Sequence, residues 1–193
     1  MPLPDSGGFR ILGEEPIIKG ARVDMVRLTV EAPDGSTFER EVVRHPGAVA
    51  VVPVTEAGEV LLVRQFRSPI ARQLLEIPAG TRDVPGEAPA DTALRELEEE
   101  VGVKAKKIVE LGRFWNTPGF CDEETVLYLA TDLEESRPER GGIEEHYMSV
   151  ERVPLDQVEE VLASDGPVDL QTKAGIDLAR AYLAKTSEGN HAH

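Results

Sequence analysis

The sequence is short of cysteine, of basic stretches and of long apolar runs. One cysteine among 193 residues, Cys121, excludes an internal disulfide framework and suits a reducing compartment. No segment approaches the roughly 18 uninterrupted apolar residues of a membrane-spanning helix. The opening MPLPDSGGFR has neither the charged start nor the apolar core of a secretory signal. A cytoplasmic protein is therefore expected. Lys and Arg number 21 against 36 Asp and Glu, a formal net charge of −15. Such a surface is repelled by phosphate backbones and anionic membranes, so neither nucleic acid nor membrane is expected as a partner. If the substrate is itself an anion, divalent cations must neutralise both sides. There is no internal repeat and no low-complexity tract.

Forty per cent hydrophobic residues are enough for one core with a small appended piece. Residues 21–32 and 37–44 alternate apolar and polar positions around Pro33-Asp34-Gly35-Ser36, the pattern of a hairpin. With ILGEEPIIKG before it, this gives an N-terminal β unit over residues 1–45. Residues 48–55 are apolar at nearly every position, as in a strand covered on both faces, and 59–67 follow after a Glu56-Ala57-Gly58 turn. Helical spacing over 88–101 aligns Ala90, Ala93, Leu94, Leu97 and Val101 on one stripe, with Gly102 placed to end the helix. Strands are expected over 107–115, 125–131 and 147–153, and helices over 154–163 and 169–185. The main domain then covers 46–185, and residues 186–193, which lack an apolar pattern, read as a disordered tail. Strands on both sides of one helix, with helices at the end, imply a mixed α/β or α+β sandwich.

The central helix is more acidic than its own physics favours. Glu96, Glu99 and Glu100 lie along one flank beside the apolar stripe, while Glu98 points elsewhere. Glu96 and Glu100 repel as an i, i+4 pair, and Glu99 and Glu100 sit at the negative end of the helix dipole. A solvated acidic face is one explanation. A cation site is the other, with Pro78-Ala79-Gly80 breaking the chain upstream so that backbone carbonyls can approach. Carboxylate oxygens without nearby Cys or His suit Mg²⁺ or Mn²⁺.

The segment GTRDVPGEAPADTALRELEEEVGV, residues 80–103, resembles the Nudix box. Every position from Glu87 onward matches, with seven residues between Glu87 and Arg95. One departure is that six residues rather than the usual five separate Gly80 from Glu87, the extra one falling in the turn 81–86. Asn116-Thr117-Pro118-Gly119-Phe120-Cys121-Asp122-Glu123, with Pro118 sixteen residues beyond Gly102, resembles the ADP-ribose pyrophosphatase subfamily. Arg40-Glu41-Val42-Val43, Arg64-Gln65-Phe66-Arg67 and Glu76-Ile77-Pro78-Ala79-Gly80 agree with it.

That resemblance implies a Nudix-type α/β/α sandwich of mixed sheets and a Mg²⁺-dependent pyrophosphohydrolase, with Mn²⁺ as the other metal, that splits ADP-ribose into AMP and ribose 5-phosphate. It makes Glu96, Glu99 and Glu100 metal ligands, joined by the carbonyl of Ala79, and makes Glu87 and Arg95 braces of the loop and helix. Arg67 is implied as a phosphate or ribose contact, with Arg44, Glu41 and Pro118 toward the nucleoside end. The loop Gly141-Gly142-Ile143-Glu144-Glu145-His146 is read as mobile, with Glu144 first and Glu145 second as the catalytic glutamate. Stacking aromatics are few, since residues 1–50 hold only Phe9 and Phe38, while Trp115 reads as a core or cleft-wall residue. The resemblance also implies a homodimer joined through the N-terminal hairpin. Another nucleoside-diphosphate-sugar such as GDP-mannose, a modified nucleotide, or a non-catalytic nucleotide sensor are the alternatives.

Overall fold

A computed structural model describes residues 6–138 and 141–189. The chain divides into two compact units, one of Met1–Gly47 with Trp115–Glu124 and one of Ala48–Phe114 with Thr125–His193. The sequence places the first boundary at 45/46; the inclusion of residues 115–124 in the first unit has no signal in the linear pattern.

In the first unit, β1 (Arg10–Lys19), β2 (Asp24–Glu31) and β3 (Thr37–Arg44) form an antiparallel sheet in that order. The expected hairpin is the β2–β3 pair, with Glu31 opposite Thr37 across the turn. Segment 115–124 joins this sheet through a bridge from Cys121 to Val43. Strand β1 is exposed along its whole length within the chain, including Ile11, Leu12 and Ile18.

The second unit is built around β4 (Ala48–Pro53), all six residues of which are buried. One sheet runs β7 (Ala79–Thr81), β4, β9 (Glu124–Glu135), β8 (Val103–Trp115), with β4 and β9 parallel. The other runs β10 (Ser149–Pro154), β5 (Glu59–Arg67), β6 (Arg72–Glu76). Because side chains alternate across a strand, Ala50 and Val52 join one core with Val158, Leu162, Ile176 and Ala179, while Val49 and Val51 join another with Ala93 and Leu97. Each fully buried Val or Leu contributes about 1.5–3 kcal/mol, and the two cores hold helices on both sides of the sheets. The α/β/α sandwich expected from the sequence is the observed architecture.

Several elements differ from the sequence pattern. The expected helix 88–101 is α1 (Pro89–Glu96) followed by a wider π-helical turn, Leu97–Val101. Proline at the first helical position needs no N–H partner there. Gly102, at φ 77°, ends the turn, and a Cβ on it would stand 2.7 Å from Pro138 Cδ. The loop read as mobile contains a short helix, α2 (Ile143–His146). Helix α3 (Val158–Asp165) starts later than expected, since Pro154 still pairs with Glu59 in the sheet. Helix α4 (Leu170–Gly189) continues through the first part of the segment read as a disordered tail, and Thr186 Oγ1 donates to the Leu183 carbonyl at 2.9 Å. Residues 190–193 lie outside the described residues. Among the described residues, no helix is long and apolar enough to cross a membrane.

Candidate active site

Packing of Leu97 and Ala93 into the core fixes which way the box glutamates face. Glu100 is turned inward with 7% of its surface exposed, and its Oε2 accepts the Ala79 N–H at 3.1 Å. Glu96 lies along Gly80, where a Cβ would meet its carboxyl carbon at 2.0 Å, so a side chain there would displace the Glu96 carboxylate. Burial pushes the Glu96 carboxyl up to about 7, with the Glu99 charge adding to it and Arg95 opposing. Burial likewise pushes Glu100 up to about 8, helped by repulsion from Glu96 and Glu145 and opposed by the Ala79 amide and Arg67. Glu98 points the other way, accepting from Ser136 Oγ at 2.7 Å and pairing with Lys104 at 3.1 Å, contacts that hold its carboxyl below the usual range.

Arg95 organises the outer edge of this flank. Its Nε and Nη2 reach Glu87 at 3.2 and 3.3 Å, and its Nη1 reaches Glu96 at 2.8 Å and Glu99 at 3.0 Å. Glu87 also accepts from Thr92 Oγ1 at 2.8 Å, so the loop before α1 is tied to the helix as the sequence suggests. These bonds hold Glu87 below the ordinary carboxylate range, Arg95 first among the causes. Glu96 and Glu100 are thus brought together, while Glu99, which shares Arg95 Nη1 with Glu96, is the more exposed of the three. Among the described residues, no three His, Cys, Asp or Glu side chains converge closely enough to hold a metal ion in this side-chain arrangement. The donor chemistry nevertheless fits a hard divalent cation, because a half-buried and a buried carboxylate side by side ionise together readily only beside a positive charge.

Arg67 ends β5 and donates from Nε to Glu76 Oε2 at 2.8 Å. Glu76, which enters the sequence reading only within the Glu76-Ile77-Pro78-Ala79-Gly80 segment and has no role there, is a buried polar residue, and burial raises its carboxyl against the pull of Arg67. On α2, Glu145 accepts the amides of Gly141 at 2.7 Å and Gly142 at 3.1 Å, reaching back over the helix start. The neighbouring Glu144 is exposed. The structure therefore gives the two loop glutamates different surroundings: one is engaged in the loop's own backbone and the other faces solvent.

The remaining sequence candidates lie in the first unit. Arg44 bonds Asp122 at 2.9 Å and Glu14 at 2.6 Å, and Glu41 faces Arg27 at 3.5 Å across the β2–β3 pair. Pro118 lines a cavity of about 390 Å³ with Trp115, Phe120, Val42 and Arg40. Phe9, just before β1, and Phe38 of β3, the two aromatics among residues 1–50, pack edge to face against each other at 6.2 Å, and Arg40 stacks on Phe38 at 4.6 Å. Trp115 and Phe120 are more than half exposed. Aromatic surface that residues 1–50 lack is thus contributed by segment 115–124, and a composition count over the first 50 residues has no way to find it.

Comparison with known proteins shows the family and the fold. The NUDIX domain profile matches residues 44–170, more than half of the chain. The chain belongs to the NUDIX domain family. It is 40% identical to the ADP-ribose pyrophosphatase of Bacillus subtilis, over 86% of this chain and 90% of that protein. It is 44% identical to the ADP-ribose pyrophosphatase of Mycobacterium tuberculosis, over 68% of this chain and 64% of that one. A relative from Bacillus methanolicus, a methanol dehydrogenase activator, is 38% identical over 84% of this chain and 87% of its own length. A crystal structure of an ADP compounds hydrolase matches the fold with a TM-score of 0.80, covering 92% of this chain and 95% of that one at 23% identity.

Proposed function

We propose that this Nudix hydrolase cleaves the diphosphate of ADP-ribose to AMP and ribose 5-phosphate with Mg²⁺, or Mn²⁺ in its place. The observation that carries the reading is the half-buried Glu96 beside the buried Glu100, two carboxylates on one flank of the box helix raised to about 7 and about 8. The pyrophosphatase names of two relatives supply the substrate.

Glu96, Glu99 and Glu100, with the Ala79 carbonyl, would hold the cation. A divalent ion there supplies neutralisation of the diphosphate and a lowered water pKa. Arg67 offers its guanidinium to a phosphate oxygen, and Glu87 and Arg95 keep the ligand helix and its loop in register. Glu144 takes the proton of the attacking water. The new P–O bond forms as the bridging P–O bond breaks, and the leaving phosphate departs in line with the attack. Arg44, Glu41 and the pocket wall at Pro118 serve the nucleoside end in this reading, with Trp115 and Phe120 as flat apolar surfaces suited to a base.

We further propose that residues 1–45 act as the dimerisation unit and that a second copy covers β1. A long exposed strand carrying Ile11, Leu12 and Ile18 is a liability for a single chain. A monomeric mass by light scattering at micromolar concentration contradicts this.

The reaction is tested by incubating the protein with ADP-ribose and Mg²⁺, with and without EDTA, and separating the products. AMP and ribose 5-phosphate in equal amounts, abolished by EDTA, are expected. A folded protein that leaves ADP-ribose intact but cleaves GDP-mannose or a modified nucleotide replaces the substrate and keeps the chemistry.

A further inference from the structure

We infer that Glu76 is a positioning residue for the reaction: it anchors Arg67 by Nε and folds that side chain back along β5, so that the open end of the guanidinium is presented to the substrate diphosphate. The inference rests on the reading above that Arg67 grips a phosphate.

Strand register makes the arrangement unusual. Glu76 of β6 stands opposite Val63, whereas the residue opposite Arg67 is Arg72. Alternation puts Val63, Gln65 and Arg67 on one face of β5, so the Arg67 Cα lies four residues, about 13 Å, along the strand from the position facing Glu76. A long side chain at a strand end has solvent available to it and a like charge directly across. Arg67 instead turns inward past Gln65 to a carboxylate whose side chain is 6% exposed, while its own remains 42% exposed. That direction brings its charge close enough to be felt at Glu100.

The contact is also one-sided in a useful way. The hydrogen bond uses Nε and Glu76 Oε2. Among the described residues, the two terminal nitrogens of Arg67 make no hydrogen bond, so the fork that suits an anionic oxygen pair is left open. A buried carboxylate costs stability unless paired, and an apolar side chain facing Val63 would serve the sheet as well. Asp169, at the start of α4, adds a second negative charge facing Glu76 and makes the carboxylate costlier still. What the carboxylate adds is a fixed direction for Arg67.

The test is a double-mutant cycle on ADP-ribose hydrolysis at saturating Mg²⁺, with thermal melts on each variant. Arg67→Ala is expected to lower kcat/KM by about 100-fold. Glu76→Gln, which keeps the shape and loses the anchor charge, is expected to lower it by about tenfold, chiefly through KM with kcat within about threefold. Combined with Arg67→Ala, Glu76→Gln is expected to cost no more than about twofold further. Glu76→Asp keeps the charge on a shorter stem and is expected to recover most of the loss. It also supplies the test if the glutamine variant does not fold. Full activity of Arg67→Ala overturns the Arg67 reading and this inference with it. An impaired Arg67→Ala beside an unimpaired Glu76→Gln, or a tenfold Glu76→Gln loss that persists without Arg67, overturns the role of Glu76 alone.

Discussion

Glu98 and Glu100 are two residues apart on the same turn, yet their surroundings are opposite. Glu98 meets Ser136 and Lys104 at the surface and holds its proton less tightly than a free glutamate. Glu100 is buried against the Ala79 amide with Glu96 beside it, and holds its proton more tightly. The apolar stripe decides this: burying Ala93 and Leu97 rotates one flank of the turn into the protein and leaves the other in water. One flank is ordinary surface electrostatics. The other stores an unfavourable charge pair whose natural relief is a cation.

The largest expected effect lies on the inward flank and the group that works with it. Glu96→Gln is expected to lower turnover of ADP-ribose by about 10²–10³-fold, the scale of losing one charged group that stabilises the transition state. Kinetics at several Mg²⁺ concentrations check it, and a loss below threefold at saturating metal breaks the contrast between flanks. Glu144→Gln is expected to cost about 10²-fold through kcat, the lower end of general-base effects, whereas Glu145→Gln acts through the loop and should cost less. A reversed order in single-turnover rates would reassign the base.

A smaller effect concerns pH. Glu96 and Glu100 have folded-state pKa values raised above the unfolded value near 4.5. The folded protein therefore binds more protons than the unfolded chain between about pH 5 and 8, and stability falls as pH rises through that window. In EDTA, the melting temperature is expected to drop from pH 5.5 to pH 8.5, and added Mg²⁺ should flatten the drop by binding the ionised pair. A melting temperature that climbs over this range in EDTA contradicts the assignment. The smallest effect is on the outward flank. Glu98→Gln is expected to leave turnover within about twofold and the melting temperature within about 3 °C.

Much of this was legible in the sequence, and the misses share a cause. The unbroken apolar run of β4 marks a strand covered on both faces, helical spacing marks the acidic flank, and the resemblance to the box implies its Arg95 brace. Apolar periodicity does not distinguish the wider winding of the π-helical turn over five residues from an α-helix. Strands β6 and β7 are short and have no clear alternation, so only their pairing with β5 and β4 makes them strands. Helix α2 begins after two glycines that suggested mobility, and Glu145 supplies the capping that holds it. Segment 115–124 meets the N-terminal sheet through Asp122 bonds to Arg44 and His45, residues more than 70 positions away. The role of Glu76 is absent from the linear pattern for the same reason, since its relation to Arg67 exists only in the register of β5 with β6. Local pattern reveals faces, whereas partners distant in the chain are set by pairing.

The most direct test of the inward flank is Glu100→Gln, measured for turnover with Mg²⁺ and for melting temperature in EDTA at pH 8. If burial and like charge are held in reserve for a cation, turnover collapses while the metal-free protein melts at the same temperature or higher. If turnover is lost only because the variant unfolds, or survives in a protein that still binds Mg²⁺ as before, Glu100 is a structural carboxylate and the site lies elsewhere.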